Sequence, residues 1–316
     1  MAIVGTGAAG PKVEANAPAR RVLAAVWRRK TPYVFLAPVL LVLGTIILYP
    51  ILFNLQISLY NVRRVDQPFG DFLGLENYRW VLRNDDFLNS LRVSFTFTVV
   101  SVVIAFVLGF AVALLMNEVG RTRPVFLALL LIPWVISPVV TGYSWRWLFN
   151  DEFGLLNELL KDLGVIDGNV AWLAKPGTAM AAVIVASVWR FVPYMMVTML
   201  AGLQSVPREL YEAAEVDGAS AWSKFVNITI SELRYIIGVV LLFSMIWSFN
   251  DFALPYIMTQ GGPAQATTVL PILVYRIAFE ALRFGRGAAL AMIIMLFLLV
   301  ISVSYALRLL REQRAR

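Results

Sequence analysis

Charged side chains are rare inside the long apolar stretches of this sequence, and the clearest exceptions are Arg190 and Asp251, the latter preceded by Asn250. An ionised group inside a membrane is costly, so such residues normally face a cavity or a partner of opposite charge. The chain contains no histidine and no cysteine. Their absence removes the usual general base, the thiolate nucleophile and the commonest transition-metal ligands. These residue types therefore favour binding and passage of a polar solute over bond-breaking chemistry.

Polar side chains recur at helical spacing in three apolar stretches. They are Ser137, Thr141 and Ser144 in the first of these; Ser187, Arg190, Tyr194 and Thr198 in the second; and Ser244, Trp247, Ser248 and Asp251 in the third. We expect Pro133 and Pro138 to break the helix near the first stripe. Converging stripes of this kind predict a water-filled pathway, to which we assign Arg190, Tyr194, Trp247, Asn250 and Asp251. Isolated hydroxyls commonly form hydrogen bonds between membrane helices instead, and we favour that interpretation for the lone serines and threonines.

An ion pair between Arg190 and Asp251 is a further hypothesis. Counted from the ends of their apolar stretches at 1.5 Å per residue, Arg190 lies about 18 Å deep and Asp251 about 10 Å deep. The difference of about 8 Å is long for an arginine side chain unless the helices tilt.

The composition predicts a membrane protein built from helices. Hydrophobic residues make up 59% of the 316-residue chain, and the mean hydropathy is +0.74, whereas soluble domains contain about 45–50% apolar residues. Six apolar runs are long enough to span a bilayer: 33–59, 91–116, 125–149, 178–203, 236–258 and 287–307. Strand-like alternation is absent, so we predict an all-α, polytopic bundle of six transmembrane helices.

The charges predict how the chain is oriented and divided. Residues 1–30 end in a basic cluster after an Ala- and Gly-rich stretch, and we interpret them as a disordered cytoplasmic tail before a membrane domain over 31–316. Six spans place both termini on one side, and the excess of Lys and Arg on that side predicts that it is cytoplasmic. The net charge of +7 fits an anionic membrane surface, and we expect no nucleic-acid partner.

A polar segment, 204–232, separates the fourth and fifth apolar runs. Pro207 suits the first turn of a helix, and Gly218 suits its end, because glycine adopts the left-handed cap at little cost. Trp222 and Phe225 then fall on one side of a second short helix. The pattern predicts a helix–turn–helix at the membrane surface.

This segment resembles the "EAA" loop of binding-protein-dependent ATP-binding-cassette (ABC) importers. The resemblance rests on Glu209, Glu212, Ala213, Ala214, Asp217, Gly218, Ala219, Phe225 and Ile228. It implies that the segment is a cytoplasmic coupling helix that docks into a cleft of an ATPase subunit, with the first eight of these residues at the contact. The sequence departs from the family pattern at Ile230-Ser231 and at Tyr235, where prolines are usual. Those departures concern the entry into the next membrane helix.

Two outer loops, around 72–78 and 258–263, are similar to those of the carbohydrate-uptake branch of the family. The resemblance implies a bacterial or archaeal cytoplasmic-membrane complex of two permease subunits, a heterodimer or a homodimer, with two ATPase subunits and an external solute-binding protein. ATP and Mg²⁺ would be held by the ATPase subunits, with no cofactor and no enzymatic activity in this chain. This chain contains no Gly-x-x-x-x-Gly-Lys-Ser/Thr loop.

The implied cargo is a neutral sugar or sugar derivative, because Arg190 and Asp251 together carry no net charge. We expect Tyr194 and Trp247 to contact the sugar. Other aromatic residues nearby are interpreted as packing or interface residues: Trp134, Tyr143, Trp145, Trp147 and Trp189.

Two other functions remain open from the residues alone. An ion-driven secondary transporter could use Arg190 and Asp251 as a relay, although the inverted repeats common in such proteins are not evident. A membrane-embedded enzyme would need a pair of carboxylates at depth, and only Asp251 qualifies.

Overall fold

The computed structural model describes residues 34–63 and 69–314, with side chains to residue 308. Within these ranges the secondary structure is helical, apart from an isolated antiparallel bridge between Tyr60 and Phe72. The prediction of an all-α fold is therefore confirmed. The predicted disordered tail, 1–30, lies outside the described residues.

The helices are numbered here in chain order. They are α1 Val34–Ser58, α2 Glu76–Arg83, α3 Asp85–Glu118, α4 Arg123–Val135, α5 Pro138–Leu148, α6 Leu155–Asp162, α7 Pro176–Ser205, α8 Arg208–Val216, α9 Ala221–Phe249, α10 Ala253–Thr259, α11 Leu270–Tyr275 and α12 Phe284–Arg314. Three π-helical stretches accompany them: Gly44–Leu48 within α1, Phe225–Ile230 within α9, and Arg276–Glu280 after α11.

Five of the described helices, α1, α3, α7, α9 and α12, are long and apolar enough to cross a membrane. Helices α4 and α5 pass the same test together but are bent by 90° at the break between them. Counting that pair as one span gives the six predicted.

Two of the predicted spans are interrupted. The break expected at Pro138 is present, whereas Pro133 lies inside α4 and the break within 236–258 was not predicted. The run 125–149 breaks at Ile136 and Ser137, whose backbones are extended with ψ of 134° and 138°. Pro138 follows, and a residue before proline is pushed out of the α-helical region. The run 236–258 breaks after Phe249, where α9 ends, and resumes as the separate short helix α10.

The chain divides into two units, Met1–Gln56 and Ile57–Arg316. The described part of the first unit is a single apolar helix that continues past Pro38 and Pro50. Its large apolar side chains, such as Phe35 and Leu41, are exposed.

The second unit is built around α3 and α7, which pack along much of their length. Gly109 makes the close approach possible, since a side chain there would overlap Met195 on α7. Met195, Met196 and Met199 are fully buried at this contact. Helices α4 and α9 pack against the same pair, and α10 packs on α5. The two interrupted spans are thereby brought beside α7.

Candidate functional site

A cavity of about 640 Å³ lies where the two interrupted spans meet α7. It is lined by the end of α4 and the break after it, by α7, and by the end of α9 and the break after it. The lining residues are Trp134, Val135, Ile136, Ser137, Pro138, Arg190, Phe191, Trp247, Asn250, Asp251, Phe252 and Ala253. Non-helical backbone at membrane depth is tolerated where it lines a cavity or is buried in protein. Both breaks satisfy that condition here.

An ion pair crosses the wall of this cavity. Arg190 Nη2 lies 2.9 Å from Asp251 Oδ2, and the side chains are 16% and 7% exposed. Asp251 Oδ1 also accepts a hydrogen bond of 3.3 Å from the Leu254 backbone N–H at the start of α10. The carboxylate is therefore fixed both by its charge partner and by the backbone of the following helix.

The hypothesis of an Arg190–Asp251 pair is thus confirmed, although counting residues from the ends of straight helices had suggested a separation of about 8 Å in depth. That estimate treated 236–258 as one straight helix. Because α9 ends at Phe249, Asp251 lies in non-helical backbone, where a rise of 1.5 Å per residue does not apply.

Three aromatic rings form a row beside the ion pair. The ring of Tyr194 lies 5.9 Å from that of Trp134 and 5.9 Å from that of Trp247, between centroids. The two tryptophans line the cavity and are 45% and 56% exposed. Tyr194 supports both rings without lining the cavity. Such exposed indole faces suit stacking against the C–H face of a sugar or another flat, partly apolar solute.

Asn250 lines the cavity and is exposed, with its side-chain nitrogen donating to the Ile246 backbone oxygen at 2.8 Å. Among the serines and threonines of the predicted stripes, only Ser137 lines the cavity. Ser244 donates to Met195 Sδ across the helix interface, and Thr198 bonds to the Tyr194 backbone oxygen. Packing between helices therefore explains Ser244, as predicted.

The sequence interpretation did not assign three aromatic cavity residues to the pathway: Trp134, Phe191 and Phe252. Trp134 was assigned to packing, although it follows Pro133 and precedes the Ser137-Pro138 pair. A tryptophan close to the break before Pro138 was the available signal. Nothing in the local sequence distinguishes the two phenylalanines from their apolar neighbours.

The polar segment forms the predicted helix–turn–helix. Pro207 precedes the first helical residue of α8, with an extended backbone. Gly218 follows α8 with φ of 75°, the left-handed conformation that favours glycine. The Ala219 N–H bonds back to the Ala214 backbone oxygen at 2.9 Å. The Ser220 side chain then accepts from the Ser223 N–H and begins α9.

The residues assigned to ATPase contact divide between two faces. Glu209, Glu212, Ala213, Asp217 and Gly218 are exposed, whereas Ala214, Ala219 and Phe225 are half-buried. The ring of Phe225 lies 5.9 Å from that of Phe110 on α3. Phe225 thus packs against the bundle, so its predicted contact with a partner is not supported by this placement.

The exposed face also carries apolar side chains that the sequence interpretation did not assign to the contact. Val216 is 89% exposed and Trp222 is 72% exposed. Val216 continues the helical series of Glu209, Glu212 and Ala213 at spacings of three and four residues. Exposed apolar side chains beside carboxylates are typical of an interaction surface.

Two side-chain contacts fasten α8 to α9. The hydroxyls of Tyr211 and Thr229 lie 2.9 Å apart, and Lys224 Nζ lies 2.6 Å from Glu215 Oε1. The hydrogen bond and the charge of Lys224 lower the pKa of the Glu215 carboxyl below its usual value. These contacts span 18 and 9 residues, so no short-range periodicity in the sequence predicts them.

Among the described residues, no group of three or more acidic side chains is placed to hold a metal ion.

Residues 105–316 match the model of a protein family described as the binding-protein-dependent transport system inner membrane component. The chain is 36% identical over 274 residues to the trehalose/maltose transport system permease protein MalF of Thermococcus litoralis, covering 86% of this chain and 90% of the relative. It is 33% identical over 279 residues to the sulfoquinovosyl glycerol transport system permease protein SmoG of Agrobacterium fabrum, covering 88% and 89%.

The fold is similar to that of a chain of a bacterial ABC transporter that imports the acidic polysaccharide alginate. The TM-score is 0.78 at 22% sequence identity, over 92% of this chain and 99% of the other. A second crystal structure, of an alginate transporter in complex with an alginate pentasaccharide-bound periplasmic protein, aligns with a TM-score of 0.75 at 21% identity, over 88% and 95%.

Proposed function

The chain belongs to the family of binding-protein-dependent transport system inner membrane components, and on that premise we propose that its cavity carries a sugar or sugar derivative. The chain is a multi-pass permease subunit of an ABC importer and is not itself an enzyme. The observation that carries the proposed cargo is one cavity that combines two exposed tryptophans with a buried ion pair.

A neutral, hydroxyl-rich solute fits this lining best. Trp134 and Trp247 offer aromatic faces for apolar C–H groups, while Asn250 offers polar atoms for hydroxyls. Arg190 and Asp251 neutralise each other, so the pair adds no net charge to attract or repel an ion. Relatives of this chain are named for transport of trehalose, maltose and sulfoquinovosyl glycerol, which supports a sugar or sugar derivative as the cargo.

Coupling to ATP is proposed to pass along α9. This helix of 29 residues, about 43 Å long at 1.5 Å per residue, follows directly on the coupling turn and ends beside Asn250 and Asp251. Displacement of α8 would be transmitted to α9 through the Tyr211–Thr229 and Glu215–Lys224 contacts. The wall of the cavity would then move with the far end of the same helix.

The proposed partners follow from this arrangement and from the family. Two ATPase subunits, which hold ATP and Mg²⁺, would receive the exposed face of α8 and Trp222. A second permease subunit would complete the pathway, and a solute-binding protein would deliver the sugar. We propose that the complex lies in a bacterial or archaeal cytoplasmic membrane with the coupling segment, 204–232, and both termini in the cytoplasm. ATP must favour one conformation of the complex over the other for transport to be driven.

The decisive experiment measures uptake of radiolabelled maltose and trehalose by cells that express the complete transporter. Glu212→Lys reverses an exposed charge of the coupling face, so we expect at least a tenfold loss of uptake with normal membrane insertion. Asp162→Lys, which reverses an exposed charge on α6, is the matched control and should retain uptake. Normal uptake by Glu212→Lys would contradict coupling through this face.

The energy source separates this proposal from an ion-driven transporter. We expect uptake to stop when ATP is depleted and to persist when an ionophore dissipates ion gradients with ATP maintained. The reverse pattern would favour ion-driven transport, for which Arg190 and Asp251 would be the candidate relay.

A further inference from the structure

A second, smaller cavity lies apart from the proposed sugar site, where the chain leaves α1, enters α2 and later begins α12. Its volume is about 210 Å³. The lining residues are Tyr60, Asn61, Val62, Arg63, Leu73, Glu76, Asn77, Arg283, Gly285 and Arg286. Three guanidinium groups therefore converge on one small space, with one carboxylate.

The positive charge of this cavity is not neutralised by the described part of the protein. Arg63, Arg283 and Arg286 form no ion pair with any carboxylate in the described ranges, and Glu76 offsets only one of the three charges. Arg286 is held in place by stacking, with its guanidinium carbon 4.2 Å from the centre of the Trp80 ring. An anionic ligand would remove the repulsion among the three cations.

The backbone that carries these arginines is firmly tied together. The buried Asn77 side chain donates to the backbone oxygens of Ser58 and Tyr60, at 2.9 and 3.0 Å. The Gly285 N–H donates to the Val62 backbone oxygen at 3.2 Å, and a side chain at Gly285 would overlap the Tyr60 oxygen. The cavity is therefore preorganised, which lowers the entropic cost of binding a ligand.

The surroundings of the cavity indicate which anion it meets. Large apolar side chains on the adjoining loops are exposed, including Phe72 at 67%, Leu75 at 62% and Leu282 at 53%. Exposed aromatic and aliphatic residues beside arginines at the ends of spanning helices are typical of the membrane interface. A cationic site there faces lipid headgroups, whose phosphodiester oxygens match the planar, forked donors of arginine.

We propose that the cavity of Arg63, Arg283 and Arg286 binds the phosphate of an anionic phospholipid. Helix α9 begins in the coupling segment, 204–232, and is long enough to span the membrane, so it ends at the opposite face. The next described spanning helix is α12, which therefore begins at that opposite face. The lipid is accordingly in the leaflet opposite the coupling segment. Its net negative charge complements the excess positive charge of the cavity, which a zwitterionic headgroup does not. This assignment is independent of the nature of the transported solute.

The test uses the full-length chain, purified in mild detergent and then supplied with phosphatidylglycerol, phosphatidylcholine or inorganic phosphate. Native mass spectrometry counts retained lipid, and thermal unfolding reports stabilisation. We expect phosphatidylglycerol to be retained and to raise the unfolding temperature more than the other two additives. The double variant Arg63→Gln/Arg283→Gln should lose both effects. Arg83→Gln, which removes an exposed arginine outside the cavity, should keep them.

Three results would overturn the proposal. The first is equal retention of phosphatidylglycerol by the double variant and the parent. The second is equal stabilisation by phosphatidylcholine. The third is arginine-dependent stabilisation by inorganic phosphate that matches phosphatidylglycerol, which would make a free oxyanion the ligand. If the double variant is poorly folded, the single variant Arg63→Gln decides, because Arg63 forms no ion pair with another described residue.

Discussion

Removing the charge of Asp251 tests how strongly the ion pair in the cavity wall supports the fold. Asp251→Asn keeps the shape of the side chain and an oxygen that can accept from the Leu254 N–H. It leaves the Arg190 guanidinium, only 16% exposed, without its counter-ion. Breaking a buried ion pair by removing one partner typically costs 3–5 kcal/mol. Because Arg190 borders a cavity large enough to admit water, we expect the lower end, about 3 kcal/mol.

A double-mutant cycle isolates the interaction from other effects of the substitution. Arg190→Gln should also destabilise, since Asp251 is 7% exposed. The double variant Arg190→Gln/Asp251→Asn removes both charges, so its cost should fall short of the sum by about 2 kcal/mol. The assay measures unfolding by increasing concentrations of a denaturing detergent, followed by tryptophan fluorescence, with all four proteins under the same conditions.

Asp167→Asn changes an exposed carboxylate and should alter the free energy of unfolding by less than about 0.5 kcal/mol. A coupling energy below about 0.5 kcal/mol in the cycle would refute the assignment of the pair as a stabilising contact. Unchanged sugar uptake by Asp251→Asn would in addition remove Asp251 from the proposed pathway.

Three further predictions concern two glycines and the proposed coupling segment, 204–232. Gly109→Ala should destabilise the fold by about 1–3 kcal/mol in the same assay, because the added carbon overlaps Met195. Gly218→Ala should cost about 1 kcal/mol through its positive φ alone, since the surrounding space is open, and Gly218→Asn should cost less. Lys224→Gln should raise the pKa of Glu215 toward its usual value, measured by carboxyl NMR titration. In the parent, the contribution of this contact to stability is present above the ordinary pKa of Glu215 and is lost as pH falls through its lowered pKa.

Each of these three predictions has a result that would contradict it. A stable Gly109→Ala variant would mean that α3 and α7 can separate without penalty. Equal costs for alanine and asparagine at position 218 would argue against backbone strain as the cause. An unchanged Glu215 titration in Lys224→Gln would mean that the short contact between the two side chains does not persist in solution.

Local features of the sequence predicted the helix–turn–helix within 204–232 well. Pro207 and Gly218 act on their own backbone conformations, so their effects do not depend on distant residues. The long apolar helices were predictable for the same reason, since length and composition alone decide whether a helix can span a bilayer.

The interruptions of two spans were only partly predictable. Proline is tolerated inside membrane helices when neighbouring groups satisfy the backbone, and the second break, after Phe249, contains no proline. Pro193 lies within the continuous helix α7, whereas Pro138 follows a break. Contacts with other helices decide whether a proline is kept within a helix or follows a break, and local sequence does not reveal those contacts. The geometry of the Arg190–Asp251 contact depends on the second break, so it could not be predicted from the sequence either.

The bend between α4 and α5 has a consequence for the hydration of the transport route. Peptide groups at a helix break lack partners within the helix, and hydrocarbon supplies none. Ile136 and Ser137 line the cavity. The Ile136 N–H donates to the Ile132 oxygen and the Ser137 oxygen accepts from the Thr141 N–H, so water at the break would be needed for the Ile136 oxygen and the Ser137 N–H. If this cavity is the sugar pathway, as proposed, the hydroxyls of an entering sugar would replace water molecules bonded to these peptide groups. Selectivity at this point is a competition with water, in which a solute lacking a hydroxyl at the right position leaves a peptide group unsatisfied.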